Sequence, residues 1–125
     1  MALRAGDKRM TASKILIVED DLAHAHELQK LLESEGHVVM GPAPNCSSAL
    51  EILWRERPDL AFVVTHLGEE TCEAVLDECD LQDVPVIITS AVPDGLPDFV
   101  GERSVVGKPV LGRAVSEALE RLLAA

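Results

Sequence analysis

The run Ile15-Leu16-Ile17-Val18-Glu19-Asp20-Asp21 decides how the rest of the sequence is read. Four consecutive apolar residues, three of them β-branched, are the pattern of a strand covered on both faces. Three carboxylates follow at once. Asp21 is placed to cap a helix over Leu22–Glu35, in which Leu28, Leu31 and Leu32 recur at helical spacing before a stop at Gly36. A buried strand that runs straight into a helix is a βα unit, and the same unit recurs along the chain.

Val38-Val39-Met40 reads as a second strand, ending at Gly41-Pro42. Asn45 or Ser47 can cap a helix reaching about Arg57, with Ala49, Leu50, Leu53 and Trp54 on its inner face. Leu60-Ala61-Phe62-Val63-Val64 is a third buried strand, and Glu70 to about Asp80 a short acidic helix. Val86-Ile87-Ile88-Thr89 is a fourth strand, entered through Pro85. Two prolines and two glycines between Val92 and Gly101 leave room only for a short, irregular helix. Ser104-Val105-Val106 is a weak fifth strand. Leu111–Leu123 is a closing amphipathic helix with Ala114, Val115, Ala118, Leu119 and Leu122 inward. Five such units predict an open parallel sheet with helices on both faces. Function in such sheets gathers at the carboxyl ends of the strands.

Composition narrows the possibilities further. At 125 residues the chain fits one domain, read as 13–125 behind a flexible arm over 1–12. Aromatics are limited to Phe62, Phe99 and Trp54, so the core must be built from Val, Leu, Ile and Ala. So few rings also offer no stacking platform for bases. The net charge of −11 repels nucleic acid and anionic membranes. Charge is uneven: residues 1–14 carry four basic side chains against Asp7 alone. No apolar run is long enough for a membrane span or a secretory signal. Cys46, Cys72 and Cys79 are odd in number and match no zinc spacing, which points to reduced thiols in a cytoplasmic protein.

The strand ends carry the chemistry. Glu19-Asp20-Asp21 offers oxygen ligands suited to a hard divalent cation; the plainer reading is a solvated, helix-capping acidic turn. A phosphate cradle would instead need glycines and hydroxyls there. Strand four ends in Thr89-Ser90-Ala91, and strand five leads into Gly107-Lys108-Pro109, whose lysine would lie beside the acidic cluster.

Taken together these segments resemble the receiver domain of two-component response regulators. The resemblance spans roughly residues 13–123 and rests on 15–21, on Arg-Pro-Asp-Leu-Ala-Phe-Val (57–63), on Val-Pro-Val-Ile-Ile-Thr-Ser-Ala (84–91) and on Gly-Lys-Pro (107–109). Glu-Gly-His-Val-Val-Met-Gly-Pro-Ala (35–43) and Asp-Gly-Leu-Pro (94–97) look more particularly like stand-alone receivers of alphaproteobacteria, with their truncated fourth helix. The resemblance implies an α/β, flavodoxin-like, doubly wound (βα)5 sandwich with sheet order 2-1-3-4-5. It assigns Mg²⁺ ligation to Glu19 and Asp20, the switch hydroxyl to Ser90 and the site lysine to Lys108. His66 takes the position whose backbone carbonyl completes the metal shell.

Two positions break the pattern. The family's phosphoacceptor aspartate falls on Val64, which has no nucleophile and cannot form an acyl phosphate. The switch aromatic falls on Val105. Thr65 should face away from the site by strand alternation, Asp59 lies at the far end of the strand, and the His66 imidazole would need a different attack geometry. Loss of one ligand carboxylate leaves Mg²⁺ binding weak or absent. The expected site is therefore a metal-free cluster of Glu19, Asp20 and Lys108 beside Val64.

The leading expectation is a pseudo-receiver, not an enzyme and without a cofactor, signalling by protein contact. The partner would be a histidine kinase, a phosphotransfer protein or another regulator. The last helix runs to the end of the sequence, so output is expected through such contact and not through a further domain. A homodimer stays open, because receivers often pair through helix four, strand five and helix five, and the fourth is short here. Two alternatives remain: a working receiver or phosphate sink with a non-standard acceptor, and a small enzyme or ligand-binding protein on the same fold. His24 and His26 read as helix residues without chemistry, and the acidic belt from Glu69 to Asp83 as a solvated face or a docking surface for a basic partner.

Overall fold

The computed structural model describes residues 13–92 and 94–123. The expected arm over 1–12 lies outside the described residues. The elements in order are β1 (Lys14–Val18), α1 (Leu22–Ser34), β2 (Val38–Ala43), α2 (Cys46–Arg55), β3 (Leu60–Val64), β4 (His66–Leu67), β5 (Glu70–Thr71), α3 (Glu73–Leu81), β6 (Val86–Ser90), β7 (Ser104–Gly107) and α4 (Gly112–Leu123). Between β6 and β7 the described residues contain one 3-10 turn, Asp98–Val100. The truncated fourth helix expected from the prolines and glycines is that turn.

The main sheet has the order β2-β1-β3-β6-β7, and its pairings are all parallel. This is the expected 2-1-3-4-5 arrangement. The numbering differs only because β4 and β5 form a separate two-residue antiparallel hairpin. Alternation sends successive side chains to opposite layers. Leu16, Val18, Ala61, Val63 and Ile88 meet α2 and α3, whereas Ile15, Ile17, Leu60, Phe62 and Ile87 meet α1 and α4. Both faces are covered, which is why these strands are apolar throughout.

Three local expectations need correction. β2 does not stop at Gly41-Pro42 but continues to Ala43, with its register against β1 slipping between Leu16 and Val18. Gly41 sits at φ +92, where a Cβ would lie 2.7 Å from the Ala43 nitrogen and 3.0 Å from the Ile17 carbonyl, so only glycine fits this irregularity. Trp54 is not in the core. The buried stripe of α2 is Ala49 and Leu53, and the ring one residue on turns outward, 66% exposed. The acidic helix begins at Glu73 and not at Glu70, because Glu70 and Thr71 are drawn into the hairpin.

Candidate functional site

Strand register brings the strand-end residues together. Val18 pairs with Val63, Val64 with Thr89, and Ser90 with Gly107. Glu19, Val64, Ser90 and Lys108 therefore end four adjacent strands on one edge of the sheet. The Lys108 amide donates to the Ser90 carbonyl at 2.9 Å, which ties the fifth sheet strand to the fourth at this point.

The centre of the cluster is an ion pair. Lys108 Nζ lies 2.6 Å from Glu19 Oε1, and the two side chains are 9% and 6% exposed. The other Glu19 oxygen accepts the Asp21 amide at 3.0 Å. Asp20 is exposed, yet its Oδ2 accepts the Gly68 amide at 2.8 Å and so fastens the hairpin turn to the end of β1. Asp21 caps α1 by accepting the His24 amide at 3.1 Å. That backbone N–H, with help from the nearby His24 and Lys108 charges, holds its carboxyl below the ordinary 3.8.

Val64 is 8% exposed and, at the end of its strand, belongs to the same apolar cluster as Val18, Ala43, Leu67 and Ile88. Ser90 is buried, and its hydroxyl accepts the Val92 amide at 3.1 Å. Val105 pairs with Ile88 and is half-buried against the same layer. His66 is exposed, with Nδ1 3.2 Å from the hydroxyl of buried Thr65. The structure thus brings Glu19, Ser90 and Lys108 to the edge where Val64 ends its strand, while the His66 ring faces solvent. His24 reaches Asp21 at 3.7 Å and not the Glu19–Lys108 pair.

This donor set does not fit a divalent cation. Glu19 uses one oxygen on an ammonium and the other on an amide, and one Asp20 oxygen holds Gly68. Hard cations need several free anionic oxygens converging on one point. No group of three or more His, Cys, Asp or Glu with metal-binding geometry occurs among the described residues.

Sequence reasoning missed the hairpin and what it does. Its Glu70 carboxylate accepts the Cys46 amide at 3.2 Å at the start of α2, the Cys46 thiol donates to the Thr71 carbonyl at 3.3 Å, and the Cys72 amide donates to the Thr65 carbonyl at 3.1 Å. Gly68 at φ +66 makes the turn. The Leu-Gly-Glu run was the available signal, but two-residue strands leave no periodicity to detect.

No protein-family model matches the chain. It is 33% identical over 119 residues to the phyllosphere-induced regulator PhyR of Methylorubrum extorquens, covering 90% of this chain and 44% of PhyR. It is 31% identical over 122 residues to the sensor histidine kinase AruS of Pseudomonas aeruginosa, covering 86% of this chain and 12% of the kinase. The chain spans less than half the length of these curated relatives. The solution structure of the Erythrobacter litoralis PhyR receiver domain superposes with a TM-score of 0.79 at 30% identity, over 92% of each chain. No helix among the described residues is long and apolar enough to cross a membrane. Shared sheet topology, and identity that runs through the length of a single receiver, show that the chain belongs to the receiver-domain family of two-component signal transduction.

Proposed function

We propose that this chain is a receiver that has given up phosphorylation and acts in cytoplasmic signalling by protein contact, without catalysing a reaction. One observation carries the reading: the strand end where the family places its phosphoacceptor holds Val64, buried against apolar neighbours. A valine offers no oxygen to attack phosphorus. The Glu19–Lys108 pair supports the same reading, because each charge already has its partner without a metal or a phosphoryl group. Val105 adds to it, since the resemblance places the family's switch aromatic at this position and a valine has no ring. A kinase, a phosphotransfer protein or another regulator is the class of partner in keeping with the family.

The test is chemical. Incubation with Mg²⁺ and acetyl phosphate, followed by intact-mass measurement, should leave the wild-type mass unchanged. A phosphoryl adduct on the wild type would overturn the reading and point to His66.

A further inference from the structure

Outside the strand-end cluster, the most unusual surface lies on α2 and α3. Trp54 is 66% and Leu81 79% exposed, although both are large apolar side chains. They lie on neighbouring helix ends. Gln82 Nε2 donates to the Leu53 carbonyl at 3.0 Å, and Arg57 donates to the Gln82 and Asp83 carbonyls at 2.8 and 3.1 Å. The residues immediately beside Trp54 and Leu81 are thus bonded to each other. A tryptophan and a leucine left in water on adjoining helix ends are the composition of an interface anchor.

The charge around this pair is mainly negative, with Arg55 next to Trp54 an exposed exception at the end of α2. Between Arg57 and Arg103 the sequence has no lysine or arginine. Glu73, Asp77, Asp80 and Leu81 share the exposed stripe of α3, at helical spacing. Glu51, one turn before Trp54, is exposed on α2. Of the cations flanking the α3 carboxylates, Arg103 pairs with Asp80 at 2.7 Å and Arg57 donates to backbone carbonyls, while Arg55 is exposed at the end of α2. Glu73, Asp77 and Asp83 have no ion pair among the described residues.

We infer that the Trp54–Leu81 patch with its carboxylate rim docks a basic amphipathic helix of a partner protein. This inference rests on the protein-contact reading above and names the surface and the chemistry of the contact. The apolar pair supplies the anchor, and the rim selects lysines and arginines flanking an apolar stripe. A second copy of this chain would set carboxylates against carboxylates, and an anionic membrane would be repelled by the same rim.

Trp54 is the sole tryptophan, so its emission reports this surface alone. The probe is a synthetic helical peptide with leucines on one face and lysines on the other. Its expected effect is a saturable blue shift that weakens with salt. Glu73→Lys with Asp77→Lys should weaken binding about tenfold, and Leu81→Ser should also weaken it. These positions are exposed, so circular dichroism should show the fold retained. A glutamate counterpart of the peptide should give no shift. No shift with the lysine peptide, or equal affinity for the charge-reversed variant, would overturn the proposal. A blue shift on raising the concentration of protein alone would overturn it in favour of self-association. The phosphodonor experiment is independent: failure of the peptide with no phosphoryl adduct removes this surface and leaves the pseudo-receiver reading standing.

Discussion

Replacing Lys108 by methionine removes the ammonium from a buried pair and leaves the Glu19 carboxylate in place. At the observed 2.6 Å the attraction is about 6 kcal/mol for an effective dielectric of about 20. Taking both charges out of water offsets most of this, so the pair's net worth is small. Removal of one partner is a different matter, because the desolvation cost of the survivor stays. Lys108→Met should therefore cost about 3–5 kcal/mol, or roughly 10–20 °C in melting temperature for a domain of this size. Glu19→Gln strands the ammonium instead and should cost a similar amount, although its amide oxygen can still accept the Asp21 N–H. The double variant has neither charge and should recover at least about 2 kcal/mol of the summed losses. The assay is urea unfolding of all four proteins followed by far-ultraviolet circular dichroism, since exposed Trp54 is a poor reporter of the core. A loss below about 1 kcal/mol for Lys108→Met, or strict additivity in the double variant, would refute a buried, self-sufficient ion pair.

Other outcomes follow from the same geometry. Asn45 caps α2 by accepting the Ser48 amide at 2.8 Å, so Asn45→Ala should lower stability by about 1 kcal/mol in urea melts. Burial pushes the Cys72 and Cys79 thiols up to about 12 and, with the nearby Glu70 carboxylate, Cys46 up to about 11. Iodoacetamide at pH 8 should consequently leave the native protein unmodified and alkylate three sites once it is unfolded. Asp21 is held below its ordinary 3.8, so its contribution to stability is complete above that value and is lost as pH falls through the lower folded one. Asp21→Asn keeps an acceptor for the His24 amide and should flatten the acid limb of a stability–pH curve.

Much of this was legible in the sequence because parallel strands buried on both faces announce themselves. Ile15–Val18, Leu60–Val64 and Val86–Thr89 have few polar residues, and their ends carry the site residues that register later brings together. The closing helix is equally plain, with Val115, Ala118 and Leu119 buried as the spacing predicts. Trp54 misled because hydrophobicity is not direction: Ala49 and Leu53 fill the narrow seam, and a ring one position further cannot share it. The hairpin was hidden because tertiary partners hold it. Gly68 is fastened by Asp20 and Glu70 by the Cys46 amide, contacts 48 and 24 residues apart in sequence. Asp20 illustrates the same limit: nothing in its sequence context announces the Gly68 N–H that its Oδ2 accepts.

Val64 leaves this strand end without the carboxylate that a phosphoryl group needs, and an aspartate there should also supply a further oxygen ligand for Mg²⁺. Wild type and Val64→Asp should be incubated side by side with Mg²⁺ and acetyl phosphate and their intact masses compared. The expected result is no adduct on the wild type and one phosphoryl group, released by hydroxylamine, on the variant. An adduct on the wild type, or none on a folded Val64→Asp protein, would contradict it.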